Sequence, residues 1–518
     1  MKTGIMPGLI WIIAAASAFV SFAEVKPAGI FTDCAVLQQG EPVRIWGTAA
    51  PEETVKVTFA DQIKETKADK KGDWMVTLDK LKVYAEGRPL VFQGSETGRP
   101  VELKEVLVGE VWMAGGQSNM EWPMKNFKPN TESDINSAND PLLRIAHIPR
   151  LEFAGQNEDR PRWEKSTPQN AAGFSACAYY FARNLRNTLN VPVGVIVCAV
   201  GGSPAEAWMS RKTLESNADT KRVIDAYDKI CRKNFLNEED CLKQGEAYEQ
   251  ARKAWYTKHA EGEPRPMPKM GPQHFQRPGG LNDTMRSQTI PYTVRGVIWY
   301  QGENNSAYGF HYRTVFSELI KEWRAEYQNP ELPFLFAQLA TFGPPSDWTE
   351  LRESQSWVED HVKNTGMAVL VDAGEEKNIH PHFKDKAGLR LSLLARNMVY
   401  GEKELVCHGP RLKESVRKEG CIELTFKDTG SGLVLKPEAV SAFEICGEEG
   451  KYVPAKAERV GDKIIVSAGS VSEPHYVRYG WKQWFIPTLF NAEGLPASPF
   501  RTDDFPPVTK GRYLLDRS

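Results

Sequence analysis

Four stretches of the 518-residue chain carry side chains suited to catalysis, and each closes a run of apolar residues. The first is Gly115-Gly116-Gln117-Ser118-Asn119-Met120. Two glycines before a serine allow a sharp backbone turn that presents the hydroxyl as a nucleophile. The Gly-x-Ser-x-Gly elbow is not matched, however, and a plain glycine-rich turn is the other reading. The second is Gly201-Gly202-Ser203-Pro204-Ala205-Glu206-Ala207-Trp208. Paired glycines can aim backbone N–H groups inward, as an oxyanion hole requires, or can serve a loop that needs positive φ. The third, Trp299-Tyr300-Gln301-Gly302-Glu303-Asn304-Asn305, offers amides as neutral donors to an oxyanion. The fourth runs from Asp372 through Glu375, Glu376 and Lys377 to His380, Pro381 and His382. An imidazole steadied by a carboxylate is what a serine general base needs. His380, His382 and Glu375 also form a candidate metal set, although no His-Glu-x-x-His motif occurs. The other seven histidines fall outside these loops.

The elements that must position these loops follow from periodicity. Continuous apolar strands are expected at Val106–Ala114, Val193–Val200, Val294–Tyr300, Pro333–Leu339 and Met367–Val371. Helices alternate with them: one capped by Ser175 between the first two, Phe310–Tyr327 after the third and Lys386–Val399 after the fifth. Strand–helix alternation of this kind predicts a doubly wound parallel α/β sheet, whose ligands sit beyond the carboxyl ends of its strands. All four loops lie there. Before residue 106, short runs such as Val43–Gly47, Val55–Phe59 and Gly72–Leu78 alternate with period two and predict a small β-sandwich. After about residue 401 the alternation returns at Cys421–Phe426 and Lys463–Ser467. Charged helical sequence including Glu239–His259 reads as an insertion over about 211–290. The expected organisation is therefore 24–105, a β-domain; 106–400, the catalytic α/β domain; and 401–518, a second β-domain.

Composition narrows the function. Lys+Arg (65) nearly balance Asp+Glu (67), and no basic block occurs, which argues against nucleic acid or anionic lipid as a partner. Fourteen tryptophans suit sugar stacking and plain cores alike. Lys2, the apolar stretch Leu9–Val20 and Ser21-Phe22-Ala23 form a signal-peptide pattern over residues 1–23, so a secreted or periplasmic protein is expected, with no membrane span in the mature chain. Eight scattered cysteines are too few for a disulfide scaffold. Cys198 reads as a buried thiol, whereas Cys231 and Cys241 can bridge two helices.

Taken together and in this order, Gly116–Glu121, Gly201–Trp208, Trp299–Asn304 and Ile379-His380-Pro381 resemble the sialate O-acetylesterase-like branch of the SGNH/GDSL hydrolases. Val36–Gln39, the Gly72-Asp73-Trp74 turn and the closing Gly494–Asp503 segment extend the resemblance over nearly the whole chain. It implies a flavodoxin-like three-layer SGNH sheet flanked by β-sandwich-type domains, and a serine esterase that removes O-acetyl groups from carbohydrate without cofactor or metal. Sialate is the first substrate it suggests, xylan and pectin the alternatives; a non-catalytic carbohydrate-binding protein is the rival class. The resemblance assigns Ser118 as nucleophile and His380 as base. It places the N–H groups of Ser118 and Gly202 with the Gln301 amide in the oxyanion hole, Asn304 being second choice for the amide. Many SGNH enzymes carry an acid three residues before the histidine, where this chain has Lys377. Glu375 is therefore the expected acid, followed by Asp372 and Glu376, with an acid-free Ser–His dyad as the remaining option. Trp122 and Trp208, next to the Ser and Gly blocks, are candidate sugar platforms or core residues. Arg352 can face a sialate carboxylate or form a surface ion pair.

Overall fold

The computed structural model describes residues 25–95, 99–153, 156, 159–258, 266–344, 347–437 and 441–515. The signal-peptide pattern lies outside them. Seven strands build the central sheet: β1 (Val101–Gly116), β2 (Asp140–His147), β3 (Arg162–Ser166), β4 (Val193–Ala199), β5 (Gly296–Tyr300), β6 (Phe334–Ala337) and β7 (Thr365–Ala368). Their order is β3-β2-β4-β1-β5-β6-β7; all pairs are parallel except the β3–β2 edge hairpin. Every residue of β4, β5, β6 and β7 is buried, as strands covered on both faces must be.

Side-chain alternation along β1 proves the cover is two-sided. Trp112 points at Phe181, on the helix α1 (Ala176–Leu189), with ring centroids 5.1 Å apart. Gly115, of opposite parity, faces Trp323 on helix α2 (Tyr312–Glu326). Helix α3 (Trp348–His361) packs beside α2, and α4 (Lys384–Met398) beside α1. Gly388 permits the α1–α4 approach, because a Cβ there would stand 2.6 Å from the Phe181 nitrogen. Ser175 caps α1 as expected, accepting a hydrogen bond from Ala178 N at 3.1 Å.

Two features depart from expectation. Strands β2 and β3 are absent from the sequence reading. The polar interruptions Arg144 in Asp140–His147, and Glu164 and Lys165 in β3, break both apolar periodicities. Arg144 is buried, its guanidinium held by the carbonyls of Pro141, Cys34 and Glu105. Second, the strand expected from Val106 begins at Val101 and runs unbroken to Gly116. The first half of β1 pairs antiparallel with Tyr84–Gly94 of the N-terminal β layers, and its second half is the centre of the α/β sheet. N-terminal strands Val43–Thr48, Thr54–Phe59 and Asp73–Leu78 form where expected. Beyond residue 410 the strands are antiparallel, including Cys421–Lys427 and Lys463–Ser467. Between β4 and β5 lie helices Ala218–Asn234 and Glu238–Lys258. No disulfide joins Cys231, on the first, to Cys241, on the second, and none of the eight cysteines is disulfide-bonded among the described residues. Cys198 is buried in β4.

Candidate active site

Strand β1 ends at the middle of the sheet, between β4 and β5, so loops from three adjacent strands converge beyond it. Gly116 adopts φ +138°, and a Cβ there would collide with the Tyr300 carbonyl at 2.2 Å. Only glycine fits, and it releases the chain into a short turn of helix, Ser118–Glu121. Ser118 is thereby presented at the carboxyl edge, in a cleft of about 510 Å³ that Gly202, Asn304 and His380 also line.

His380 Nε2 lies 2.8 Å from Ser118 Oγ. The imidazole is half-buried, with Trp122 stacked on it at a centroid distance of 3.7 Å. Burial, assisted by the nearby Lys384 cation, lowers His380 to about 4, so at neutral pH the ring is unprotonated and can accept a proton.

The expected acid is elsewhere. Glu375 accepts from His382 Nδ1 at 2.8 Å and from Asn378 Nδ2 at 2.7 Å. Burial works against its ionisation, but the His382 and Asn378 hydrogen bonds prevail and hold its carboxyl below the ordinary value. Asp372 is clamped by Arg390 and Lys386, and Glu376 is exposed. Among the described residues no carboxylate stands within 4.0 Å of the His380 ring nitrogens. Glu375 reaches His380 only through Asn378, whose Oδ1 accepts from His380 N at 3.0 Å and whose Nδ2 donates to His380 O at 2.9 Å. The two imidazoles of the His380-Pro381-His382 segment thus serve different partners, and among the described residues no group of three or more His, Cys, Asp or Glu gathers in a metal-binding cluster.

The donors opposite Ser118 come from two loops. Gly202 has φ +74°, and Gly201 donates its N–H to Glu121 Oε2 at 2.6 Å. Among the described residues the N–H groups of Ser118 and Gly202 have no protein acceptor. Gln301 is fully buried below the cleft: its amide donates to Asn305 Oδ1 and Ser203 O and accepts from Tyr312. Asn304, the second choice for the amide, lines the cleft and donates to Gly202 O at 2.9 Å.

A family model described as carbohydrate esterase, sialic acid-specific acetylesterase, matches residues 108–251 and 281–399. The chain belongs to that family. Its members' activity class, carbohydrate O-acetyl ester hydrolysis, is that of a carboxylic ester hydrolase, and Ser118, Gly202 and His380 all fall inside the matched ranges. Within the curated members, mouse sialate O-acetylesterase is 28% identical, over 91% of this chain and 93% of its own. The human enzyme is 26% identical, over 96% and 95%. A crystal structure of a carbohydrate acetylesterase from Xanthomonas citri superposes with a TM-score of 0.77 at 34% identity, covering 93% of this chain and all of that one.

For an acetylesterase of this family the two tryptophans separate cleanly. Trp122 borders the cleft; Trp208 is fully buried, its indole N–H on Ser203 Oγ at 2.9 Å, and it packs the core rather than the substrate. Arg352 is also fully buried and neither faces the cleft nor forms a surface ion pair. Its guanidinium donates to the carbonyls of Leu339, Ala340, Lys482 and Gln483, tying α3 to the C-terminal β segment. Cleft residues that sequence reasoning passed over include Glu121, Arg150, Glu152, Tyr248 and Phe275. Arg150 belongs to a strand end that was itself missed, and Tyr248 to the helical insertion, where no periodic signal marks an inward face. No described helix is long and apolar enough to cross a membrane.

Proposed function

We propose that this chain deacetylates carbohydrate with Ser118 as nucleophile and His380 as base, O-acetylated sialic acid being its first substrate. The 2.8 Å contact between Ser118 Oγ and His380 Nε2 carries the reading. In the reaction Ser118 Oγ bonds to the acetyl carbonyl carbon as its proton passes to His380 Nε2. The carbonyl oxygen becomes an oxyanion facing the N–H groups of Ser118 and Gly202 and the Asn304 amide. Each such donor is worth about 3 kcal/mol of barrier. Collapse breaks the bond to the sugar oxygen, which leaves with the proton from His380. Water then attacks the acetyl-serine by the same route in reverse, releasing acetate.

The order β4-β1-β5-β6-β7 corresponds to 2-1-3-4-5 and supports a flavodoxin-like SGNH core, with β2 and β3 added at one edge. We read 24–105 and 401–518 as flanking β-domains and 211–290 as the insertion that walls the cleft through Tyr248. The Leu9–Val20 pattern supports export.

Acetate release from O-acetylated sialic acids, xylan and pectin tests the reading. Wild type should release acetate and Ser118→Ala should not; full activity in the variant overturns the mechanism. Preference for xylan by orders of magnitude replaces the sialate assignment and spares the chemistry.

A further inference from the structure

A buried cation stands behind the nucleophile and the base. Lys384 opens α4 and is 1% exposed. Its Nζ donates to Asn119 Oδ1 and to Pro381 O, each at 2.7 Å. Asn119 is the residue after Ser118, and Pro381 the residue after His380. Asn119 Nδ2 donates in turn to Ile379 O at 3.1 Å and to Glu303 Oε1 at 2.5 Å. Both neighbours of His380 are therefore joined, directly or through one ammonium, to the neighbour of Ser118. No other described contact ties the two loops so closely behind the reacting pair.

A lysine ammonium is expensive to bury, by several kcal/mol unless charge and hydrogen bonds compensate. Its surroundings are specific: Phe127 lies 4.7 Å from Nζ, and Tyr300 with Glu303, Glu375, and Cys177 face it from three different segments. Glu303 keeps Oε2 buried without a partner, and burial raises its carboxyl, so it does not cancel the ammonium fully.

We infer that Lys384 is a positioning residue that clamps the Ser118 turn to the His380 loop and takes over the orienting task a triad carboxylate performs elsewhere. This rests on the roles of Ser118 and His380 proposed above. The clamp works through hydrogen bonds to backbone and to Asn119, not through attraction for the imidazolium. Its charge acts in the opposite direction. Burial lowers Lys384 to about 8, so in acidic solution it keeps its positive charge, which disfavours protonation of His380 and holds the base neutral at the cost of lower basicity. Other groups around His380 are Glu375 and His382 on its own loop, Ser118 on the turn after β1, and Glu121, Arg150, Glu152 and Glu303 across the cleft.

The test is the rate at which a fluorophosphonate labels Ser118, followed by mass spectrometry from pH 4 to 9. Ser118 Oγ bonds to phosphorus, fluoride leaves and the proton goes to His380 Nε2, so the probe reads the pair whatever sugar is the substrate. Lys384→Met should slow labelling about tenfold or more above pH 6, leave the saturation constant for the probe unchanged and move the acid limb to higher pH. Lys384→Arg should keep the acid limb where it is. Asn119→Ala, which breaks the bridge but retains the ammonium, should slow labelling without moving the limb, and it decides the matter if Lys384→Met does not fold. Wild-type rate and limb in Lys384→Met, or wild-type rate in Asn119→Ala, overturns the inference. Labelling of wild-type Ser118 with no acetate release from any acetylated sugar refutes the substrate reading alone.

Discussion

Trp122 lies face to face with His380, their ring centroids 3.7 Å apart and their planes inclined by 27°. The indole screens one face of the base from water and so contributes to the burial that lowers His380 to about 4. Trp122→Ala admits solvent, and the histidine should return toward its ordinary value near 6.5. We expect kcat/KM at pH 5 to fall much more than kcat/KM at pH 8. An unshifted acid limb would show that the stack plays no part in tuning the base.

Asn304, rather than Gln301, should affect turnover. Asn304→Ala removes a donor at the cleft and is expected to lower kcat by about 10²–10³ with little change in melting temperature. Gln301→Ala removes buried hydrogen bonds to Asn305, Ser203 and Tyr312 and should destabilise the fold by about 1–3 kcal/mol. Kinetics and thermal melts on both variants separate the roles, and equal kcat losses at equal stability would contradict this division.

Glu375 should behave unlike a triad acid. Where a carboxylate touches the base, its loss costs about 10⁴ in kcat. Here the carboxylate acts on Asn378 and His382, so Glu375→Gln and His382→Ala should each cost about tenfold or less. A loss near 10⁴ in Glu375→Gln, with the fold intact by circular dichroism, would falsify the indirect role.

Stability should decline in mild acid. Burial holds His147, His274 and His380 each at about 4, against about 6.5 unfolded. Below 6.5 the unfolded chain binds protons that the folded chain refuses, so stability is lost as pH falls from 6.5 toward 4. The limit is about 1.4 kcal/mol per pH unit for each fully buried ring, less for the half-exposed His380. His408 has the opposite sign. Burial alone would lower it, but Cys407 and Glu359 hydrogen bonds raise it to about 10, so its contribution is full below about 6.5 and declines as pH rises from there through 10. Denaturant midpoints at pH 7, 6 and 5 should decrease steadily; a flat profile contradicts the assignment.

Periodicity alone was enough for the all-buried strands and for helices Ala176–Leu189, Tyr312–Glu326 and Lys384–Met398, because parallel strands covered on both faces leave no other pattern; helix Trp348–His361 was not among the expected elements. The strand Asp140–His147 was hidden by its buried Arg144, which satisfies itself with three carbonyls that only the folded chain brings together. It also brings His147 to a strand end, a place the sequence did not suggest for it. Ser118, Gly202 and His380 were recognisable because a strand end fixes where each must lie. The acid and the amide were not, since both choices depend on which side chain a loop turns inward. Glu375 and Gln301 had suitable chemistry but were already engaged by His382 and by Asn305. Lys384 gave no signal at all, since a lysine at the start of an amphipathic helix is ordinarily solvated.

The strand Val101–Gly116 has a consequence for how this protein can be divided or inherited. One continuous ribbon supplies an edge partner to Tyr84–Gly94 at one end and delivers Gly116, two residues before the nucleophile, at the other. A truncated chain beginning at residue 106 would strip this strand of its Tyr84–Gly94 partner and leave the innermost strand frayed. The leading β layers are therefore not an appendage that recombination can exchange freely. Their loss should be felt, along a single rigid rod, at the serine itself.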